Sequence, residues 1–286
     1  MRRLRAACTG IASMAVVLSA SAFTIITHAP TGLQAAGAQA AQAQARPGDP
    51  MIVAPASTGP MTSMAPNTTR TYSLNWAGYA AGSPRTVFKS MQATFFVPYV
   101  DCASTPNSFS SHWIGLDGLA SRSVEQLGVE ASCSGSRPTY YAWYEMYPKT
   151  ESAAFRVKPG NAITASISYS SRTKRFSLKL ADTTTGQHFR HSLKCAAARC
   201  LRSSAEAISE APAGGSGAIL PLANYHASSF SDITIISGRG HRGNLRAKWW
   251  HTYEIVQVGG TSHKVAGQPS ALSRAKTFTN YWLREN

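Results

Sequence analysis

Carboxylates are scarce in this chain: 13 Asp and Glu stand against 28 Lys and Arg in 286 residues, a formal charge of +15. Each acidic residue can therefore be followed individually. Other absences are as informative. There is no Cys-x-x-Cys and no clustered His/Cys spacing, which removes thiol-redox and zinc chemistry. There is no Gly-x-Ser-x-Gly elbow and no His-Glu-x-x-His helix, so a serine esterase and a zinc protease both lack their parts. The eight His are scattered, and nothing in the sequence calls for a cofactor or a metal. No internal repeat of about 20–50 residues occurs, and no segment sustains a helical period. Basic residues are dispersed except in "RGHRGNLRAK" (Arg239 to Lys248), which reads as a solvated loop. With no nucleic-acid motif, nucleic acid is not an expected partner.

Long apolar runs are also missing. The one weakly apolar stretch, "TGIASMAVVLSASAFTII", is short and rich in Ala and Ser. It lies between the basic "MRRLR" and the small-residue sites of "AGAQAAQAQA". That layout is a secretory signal over residues 1–45, not a membrane anchor. The next stretch, "RPGDPMIVAPASTGPMTSMAPNTTR", is rich in Pro, Ser, Thr and Ala, and residues 46–70 read as a flexible leader or short pro-segment. Residues 71–286 form the expected domain, large enough for one all-β core. The expected location is extracellular, with no membrane span once the signal is gone, and the expected state is a monomer.

Signal removal takes away Cys8 and leaves Cys102, Cys133, Cys195 and Cys200. An even count in an exported chain points to disulfides, and four cysteines allow three pairings. The pairing expected is 102–133 and 195–200. Losing Arg2, Arg3 and Arg5 leaves 25 basic residues against 13 acidic, about +12. Such a field draws a protein toward anionic polymers, including those of cell walls.

Period-two patterns dominate what remains. In "AITASISY" (Ala162 to Tyr169), Ile163, Ala165, Ile167 and Tyr169 share a face; "RFSLKLAD" sets Phe176, Leu178 and Leu180 together. These are half-buried strands joined as a hairpin through "SSRTK". "TFFVP", "HWIGLDG", "EQLGVEA", "YYAWYEMYP", "ITIIS" and "WWHTYEIVQV" are further strands, separated by Gly, Pro, Asn and Ser clusters. The fold class is an all-β, two-sheet antiparallel sandwich or a barrel. Alternation puts Trp113, Gly115 and Asp117 on one face. It likewise groups Val124, Gln126, Gly128 and Glu130, then Tyr141, Trp143, Glu145 and Tyr147, and finally Glu206, Ile208 and Glu210. If these faces are shared, one sheet carries a groove of carboxylates, a Gln and aromatics suited to a polymeric ligand. Glu206 and Glu210, about 13 Å apart along a strand, are too distant to act as a dyad. Taken singly, each Glu on an outer face reads as a solvated side chain.

Six fragments in order change that weighting: "NWAGY" (Asn75 to Tyr79), "ATFFVP" (Ala93 to Pro98), "HWIGLDG" (His112 to Gly118), "EQLGVEA" (Glu125 to Ala131), "YAWYEMYP" (Tyr141 to Pro148) and "AEAISEAP" (Ala205 to Pro212). Together they resemble the glutamic peptidases, or eqolisins, in their bacterial form. The resemblance implies a concanavalin A-like, jelly-roll-type sandwich and a secreted endopeptidase acting on polypeptides. It implies a catalytic pair at Gln126 and Glu210. Trp76, Trp113, Asp117, Glu130 and Glu145 would then line or support the substrate groove. Three positions depart from the fungal pattern: Ala207 replaces a Trp, Glu130 an Asp and Tyr141 another Asp. By this reading Glu210 activates water and Gln126 holds that water and the oxyanion. A carboxylate paired with an amide escapes the repulsion that splits a dicarboxylate pair, so the expected working range is acidic. The rival readings are a glycan-active sandwich using Glu145 with Glu210, and a non-catalytic wall-binding module with tryptophan platforms.

Overall fold

The computed structural model describes residues 49–54 and 65–286; the expected signal segment, and residues 46–48 and 55–64 of the expected leader, lie outside the described residues. Sixteen strands run in chain order: β1 (Thr68–Ser73), β2 (Trp76–Gly82), β3 (Phe88–Phe96), β4 (Ser111–Leu116), β5 (Glu125–Ser134), β6 (Arg137–Met146), β7 (Ser152–Arg156) and β8 (Ala162–Ser170). They continue as β9 (Arg175–Asp182), β10 (His188–Leu193), β11 (Ser204–Glu210), β12 (Ala227–Ser237), β13 (Arg242–Gly243), β14 (His251–Val258), β15 (Val265–Pro269) and β16 (Phe278–Trp282). Among the described residues there is no helix.

The strands make one hydrogen-bonded path, β10-β9-β8-β3-β12-β16-β15-β14-β2-β11-β4-β5-β6-β7. The path folds over, so that β3, β8 and β9 pack on β4, β5 and β11 without bonding to them. That makes a sandwich, with β15 and β16 turning the corner between layers. Each ladder between named strands is antiparallel except one: β1 lies parallel to β14, from Thr68 opposite Thr252 to Ser73 opposite Gln257. The hairpin expected through "SSRTK" is present, with Ser170 opposite Arg175 across β8 and β9.

Alternation explains which side chains enter the middle. Ile163, Ala165 and Ile167 of β8, with Phe176, Leu178 and Leu180 of β9, meet Ile114 and Leu116 of β4, Leu127 and Val129 of β5, and Ala205 and Ala207 of β11. Each large apolar side chain buried there contributes roughly 1.5–3 kcal/mol. Ala207, where a Trp stands in the fungal pattern, faces this core and not the opposite, polar face.

Both expected disulfides form: Cys102–Cys133, with Cα atoms 5.4 Å apart, and Cys195–Cys200 at 5.9 Å. The first fastens the loop ahead of β4 to the end of β5; the second closes a short surface loop. They span 31 and 5 residues. In the chain-entropy model the longer loop contributes about 3–4 kcal/mol and the shorter about 2. Urea unfolding of the double variant Cys102→Ser/Cys133→Ser should show that larger loss, and Cys195→Ser/Cys200→Ser the smaller one.

Candidate active site

The outward face of β2, β11, β4, β5 and β6 is set by register. Three rows cross these strands: Ala80–Glu206–Gly115–Gln126–Glu145, then Gly78–Ile208–Trp113–Gly128–Trp143, then Trp76–Glu210–Ser111–Glu130–Tyr141. Large and small side chains alternate across them. Gly128 is required by the middle row, because a Cβ there would come within 2.3 Å of the His112 carbonyl oxygen and 2.4 Å of Trp113 Cβ. Gly115 likewise leaves room for the edge of the Trp113 ring, whose Cζ3 would lie 3.0 Å from an added Cβ, with Gln126 Cβ at 3.2 Å. The indole of Trp113 thus reaches from beside Gln126 to the Glu210 carboxylate.

Gln126 and Glu210 lie on this same face, two strands and four residues of register apart, and both are fully buried. Burial overturns the expectation that an isolated Glu on this face is solvated. The neighbours explain how it is tolerated. Glu210 Oε1 accepts from Asn75 Nδ2 and from Trp76 Nε1, each at 3.2 Å, and Oε2 accepts from Trp113 Nε1 at 2.8 Å. Three neutral N–H groups replace water around the carboxylate, as a buried acceptor demands. Trp76 and Trp113 also pack edge to face, with ring centroids 5.0 Å apart. Asn75 is itself fixed, since its Oδ1 accepts from Ile52 N at 2.8 Å and Ser73 Oγ at 2.9 Å. Gln126 Nε2 donates to Glu145 Oε2 at 2.7 Å, which orients the amide.

The remaining expected residues, Glu130 and Asp117, are also buried. Glu130 accepts from Ser111 Oγ and Ser132 Oγ. Burial first, and then the nearby Glu151, push its carboxyl up to about 8. Asp117 breaks the alternation read from "HWIGLDG", because its φ is +72°. Its carboxylate accepts from Ser203 N at 2.7 Å, Arg202 N at 2.5 Å and Ser203 Oγ at 3.0 Å, which ties down the chain entering β11. It lies buried, close enough to Glu206 and Glu125 to raise their carboxyls.

Asn75, Glu125 and Glu151 were not among the expected site residues, and Glu206 was expected on the groove face but not in a dyad. Asn75 was seen only as part of a motif. Glu151, pushed up to about 7 by burial, accepts from Tyr141 Oη at 2.8 Å. Tyr141 therefore stands beside an acid supplied from elsewhere in the chain. Glu125 and Glu206 are fully buried and held well above the carboxylate range by burial and then by Asp117. Among the described residues, no group of three or more His, Cys, Asp or Glu is placed to hold a metal ion.

These shifts fix how stability depends on pH. Glu125, Glu130, Glu151 and Glu206 hold protons in the folded chain that the unfolded chain releases near its ordinary 4.5. From there to about pH 7 each multiplies the unfolding constant by about ten per pH unit. His112 works in the opposite sense. Buried against Ser209 and Ser110, it is pushed down to about 3 by burial. Between pH 6.5 and about 3 the unfolded chain holds a proton that the folded one lacks, so His112 costs stability as pH falls through that window. Above pH 4.5 four carboxyls outweigh one imidazole; below it the imidazole, and Asp101, whose carboxyl Ser104 holds low, both make acid destabilising. Thermal midpoints measured from pH 3 to 8 should peak near pH 4.5 and fall toward neutrality, and Glu130→Gln should flatten the neutral limb.

The fold has known counterparts. A crystal structure of scytalido-glutamic peptidase with a peptide-based transition state analogue superimposes with a TM-score of 0.62 at 24% identity, covering 73% of this chain and 98% of that one. The eqolisin SCP-B in complex with the tripeptide Ala-Ile-His gives 0.60 at 23% identity, over 73% and 98%. Aspergilloglutamic peptidase from Aspergillus niger gives 0.53 at 22% identity, over 62% and 99%. No curated protein sequence matches the chain significantly. The model of the Peptidase A4 family matches residues 74–273, a span that holds all three rows. The chain belongs to the Peptidase A4 family and is a glutamic-type peptidase.

Proposed function

We propose that the protein is a secreted endopeptidase working in acid, with Glu210 as general base and acid and Gln126 as holder of water and oxyanion. The observation that carries this reading is the Glu210 carboxylate, buried and held by Asn75, Trp76 and Trp113 on the face that also presents Gln126. Donors bonded to a carboxylate favour its ionised form. Glu210 takes a proton from water as that water attacks the scissile carbonyl carbon. The amide of Gln126, oriented by Glu145, donates to the oxygen on which charge develops, without changing its own charge. Collapse of the tetrahedral intermediate breaks the C–N bond, and Glu210 returns the proton to the departing amine.

Glu130 and Tyr141 continue the row of Glu210 across β5 and β6, and Glu151 accepts from Tyr141; in this reading they supply subsite polarity along the groove. The paired cysteines support an extracellular location. The excess of basic residues supports attraction to anionic wall polymers.

The test is digestion of casein or haemoglobin across pH 2–7, with a pepstatin control against contaminating aspartic enzymes. Glu210→Gln should lower kcat by about 10²–10⁴. Gln126→Ala should lower it by about 10²–10³. Retained activity in Gln126→Ala, with polysaccharide consumed in place of protein, would instead select the glycan-active reading through Glu145 and Glu210. Trp113→Phe keeps an aromatic ring, though a smaller one, and removes one donor from Glu210. It should cost roughly ten- to a hundredfold in kcat/KM and shift the acid limb of the pH–rate profile upward.

A further inference from the structure

The sheet packed behind the groove has an outer face of a different kind. One register row crosses four of its strands as Ser90 (β3), Ser168 (β8), Ser177 (β9) and Ser192 (β10). The adjoining Met91, Ile167 and Leu178 fill the core, so alternation turns the serines outward. At about 4.8 Å per strand the row runs roughly 14 Å. Long cationic side chains stand on both sides of it. Lys179 and Arg190, paired and exposed, hold the next row on one side. On the other side Arg175 donates from Nε to Ser192 Oγ at 3.0 Å and from a terminal N–H to the Ser192 carbonyl at 2.5 Å. Lys89 joins it because β3 carries an extra residue between the pairs Ser90–Ile236 and Phe88–Ser237, a bulge that releases one side chain from the alternation. The turn between β8 and β9 adds Arg172. Small residues between long ones make a trough, a pocket of about 350 Å³ with no carboxylate in its lining. Among the described residues neither Lys89 nor Arg172 is paired with an acid. Asp182 is buried at the far end of β9, bonded to Thr184 N and Thr185 N, and Asp232 lies in a bulge opposite Gln92 and Thr94. Ser177 Oγ is shielded from solvent, yet among the described residues it has no hydrogen-bond partner.

We propose that this trough binds a phosphodiester polymer of polyols, which anchors the molecule while the groove on the opposite sheet stays open. The proposal is independent of the catalytic assignment; it rests on the attraction to anionic polymers and gives that attraction a place. Each part of the trough matches a part of such a chain. Lys89 and Arg172, with no acid to neutralise them, meet phosphate oxygens with charge-assisted donors. Serine hydroxyls both donate and accept, which suits phosphate oxygens and the polyol hydroxyls between them. The orphan Ser177 Oγ is an unfilled hydrogen bond that this ligand completes. Cations on both banks of a row fit a linear chain with charge at intervals better than a single ion. Other polyanions fit less well. Nucleic acid needs a stacking platform, and Tyr169, the one aromatic in the lining, is already engaged. The Arg202 guanidinium lies 3.7 Å over its ring, and Phe176 packs beside it with centroids 4.9 Å apart. A lipid surface needs an apolar face to insert, and no aliphatic residue lines the trough.

The experiment titrates the full chain with a fluorescently labelled poly(glycerol phosphate) oligomer at pH 7 and several salt concentrations. Lys89→Gln/Arg172→Gln should weaken binding about tenfold and lower the slope of log K against log salt by about 1–2. Arg242→Gln/Arg246→Gln removes the same charge from the loop of Arg239 to Lys248 and should weaken binding about twofold at most. Ser177→Ala changes no charge; it should cost about threefold to tenfold in affinity and leave the salt slope unchanged. Saturating polymer should leave kcat/KM for a short uncharged peptide unchanged, because trough and groove face opposite ways. Equal losses in the two double variants overturn the site and leave only a diffuse attraction. No binding by the wild type overturns the site and the attraction together. Competition between polymer and peptide would place the polymer in the groove and overturn the site as well. An oligothymidylate, a heparin fragment or a phosphatidylglycerol vesicle that binds more tightly than the oligomer, and is lost in Lys89→Gln/Arg172→Gln, overturns the choice of occupant. If no form cleaves the peptide, the peptidase reading fails, and the binding ratios still decide the site.

Discussion

The groove depends on steric complementarity across four adjacent strands. Trp113 can lie flat between Glu210 and Gln126 only because Gly128 and Gly115 offer no Cβ against it. Because the indole is seated there, its N–H meets the Glu210 carboxylate, and its edge packs on Trp76, which brings a second N–H. The apolar packing of two tryptophans and the hydrogen bonding of one carboxylate are thus a single arrangement. A slip of one residue between β4 and β11 would turn Ile114 and Ala207 outward and bury the acids in the sandwich core.

The same arrangement divides the buried acids by environment. Glu210 is surrounded by N–H donors, which stabilise negative charge. Glu125, Glu130, Glu151 and Glu206 owe their raised values first to burial, and three of the four also to another carboxylate nearby. A donor-bound carboxylate and carboxyls raised by burial thus lie within a few strands of one another. Keeping several protonated carboxyls buried ties the stability of the fold to acidic surroundings. His112, neutral behind the sheet with Ser209 and Asn280, limits how acidic those surroundings can be.

Much of this was legible in sequence. Period-two alternation identified β8, β9 and their hairpin, and it assigned Gln126, Glu130, Glu145 and Glu210 to the faces they occupy. Cysteine arithmetic reached the right pairing. What escaped was whatever depends on partners distant in the chain. Asp117 departs from alternation because its positive φ turns the backbone, which a residue pattern does not encode. The burial of Glu206 follows from the strands and loops above it, not from its own neighbours. Tyr141 read as the loss of an acid, yet Glu151, ten residues on, brings one back through space. Asp49 and Pro50 looked like composition-biased leader, and only the folded chain brings their carbonyls to Trp76 and Asn75.

Burial of the acids has a last effect, on the outside of the molecule. Of the 13 carboxylate side chains, eight are buried, three are half-buried, and Asp232 and Glu285 are exposed. Ordinary proteins become more cationic in acid because their surface carboxylates protonate. This one has few to neutralise, so surface carboxylates contribute little to any change in the potential felt by an approaching polyanion, and such a change falls instead to the histidines at the surface. At a given pH, adhesion to a negatively charged matrix and release from it would be governed by ionic strength.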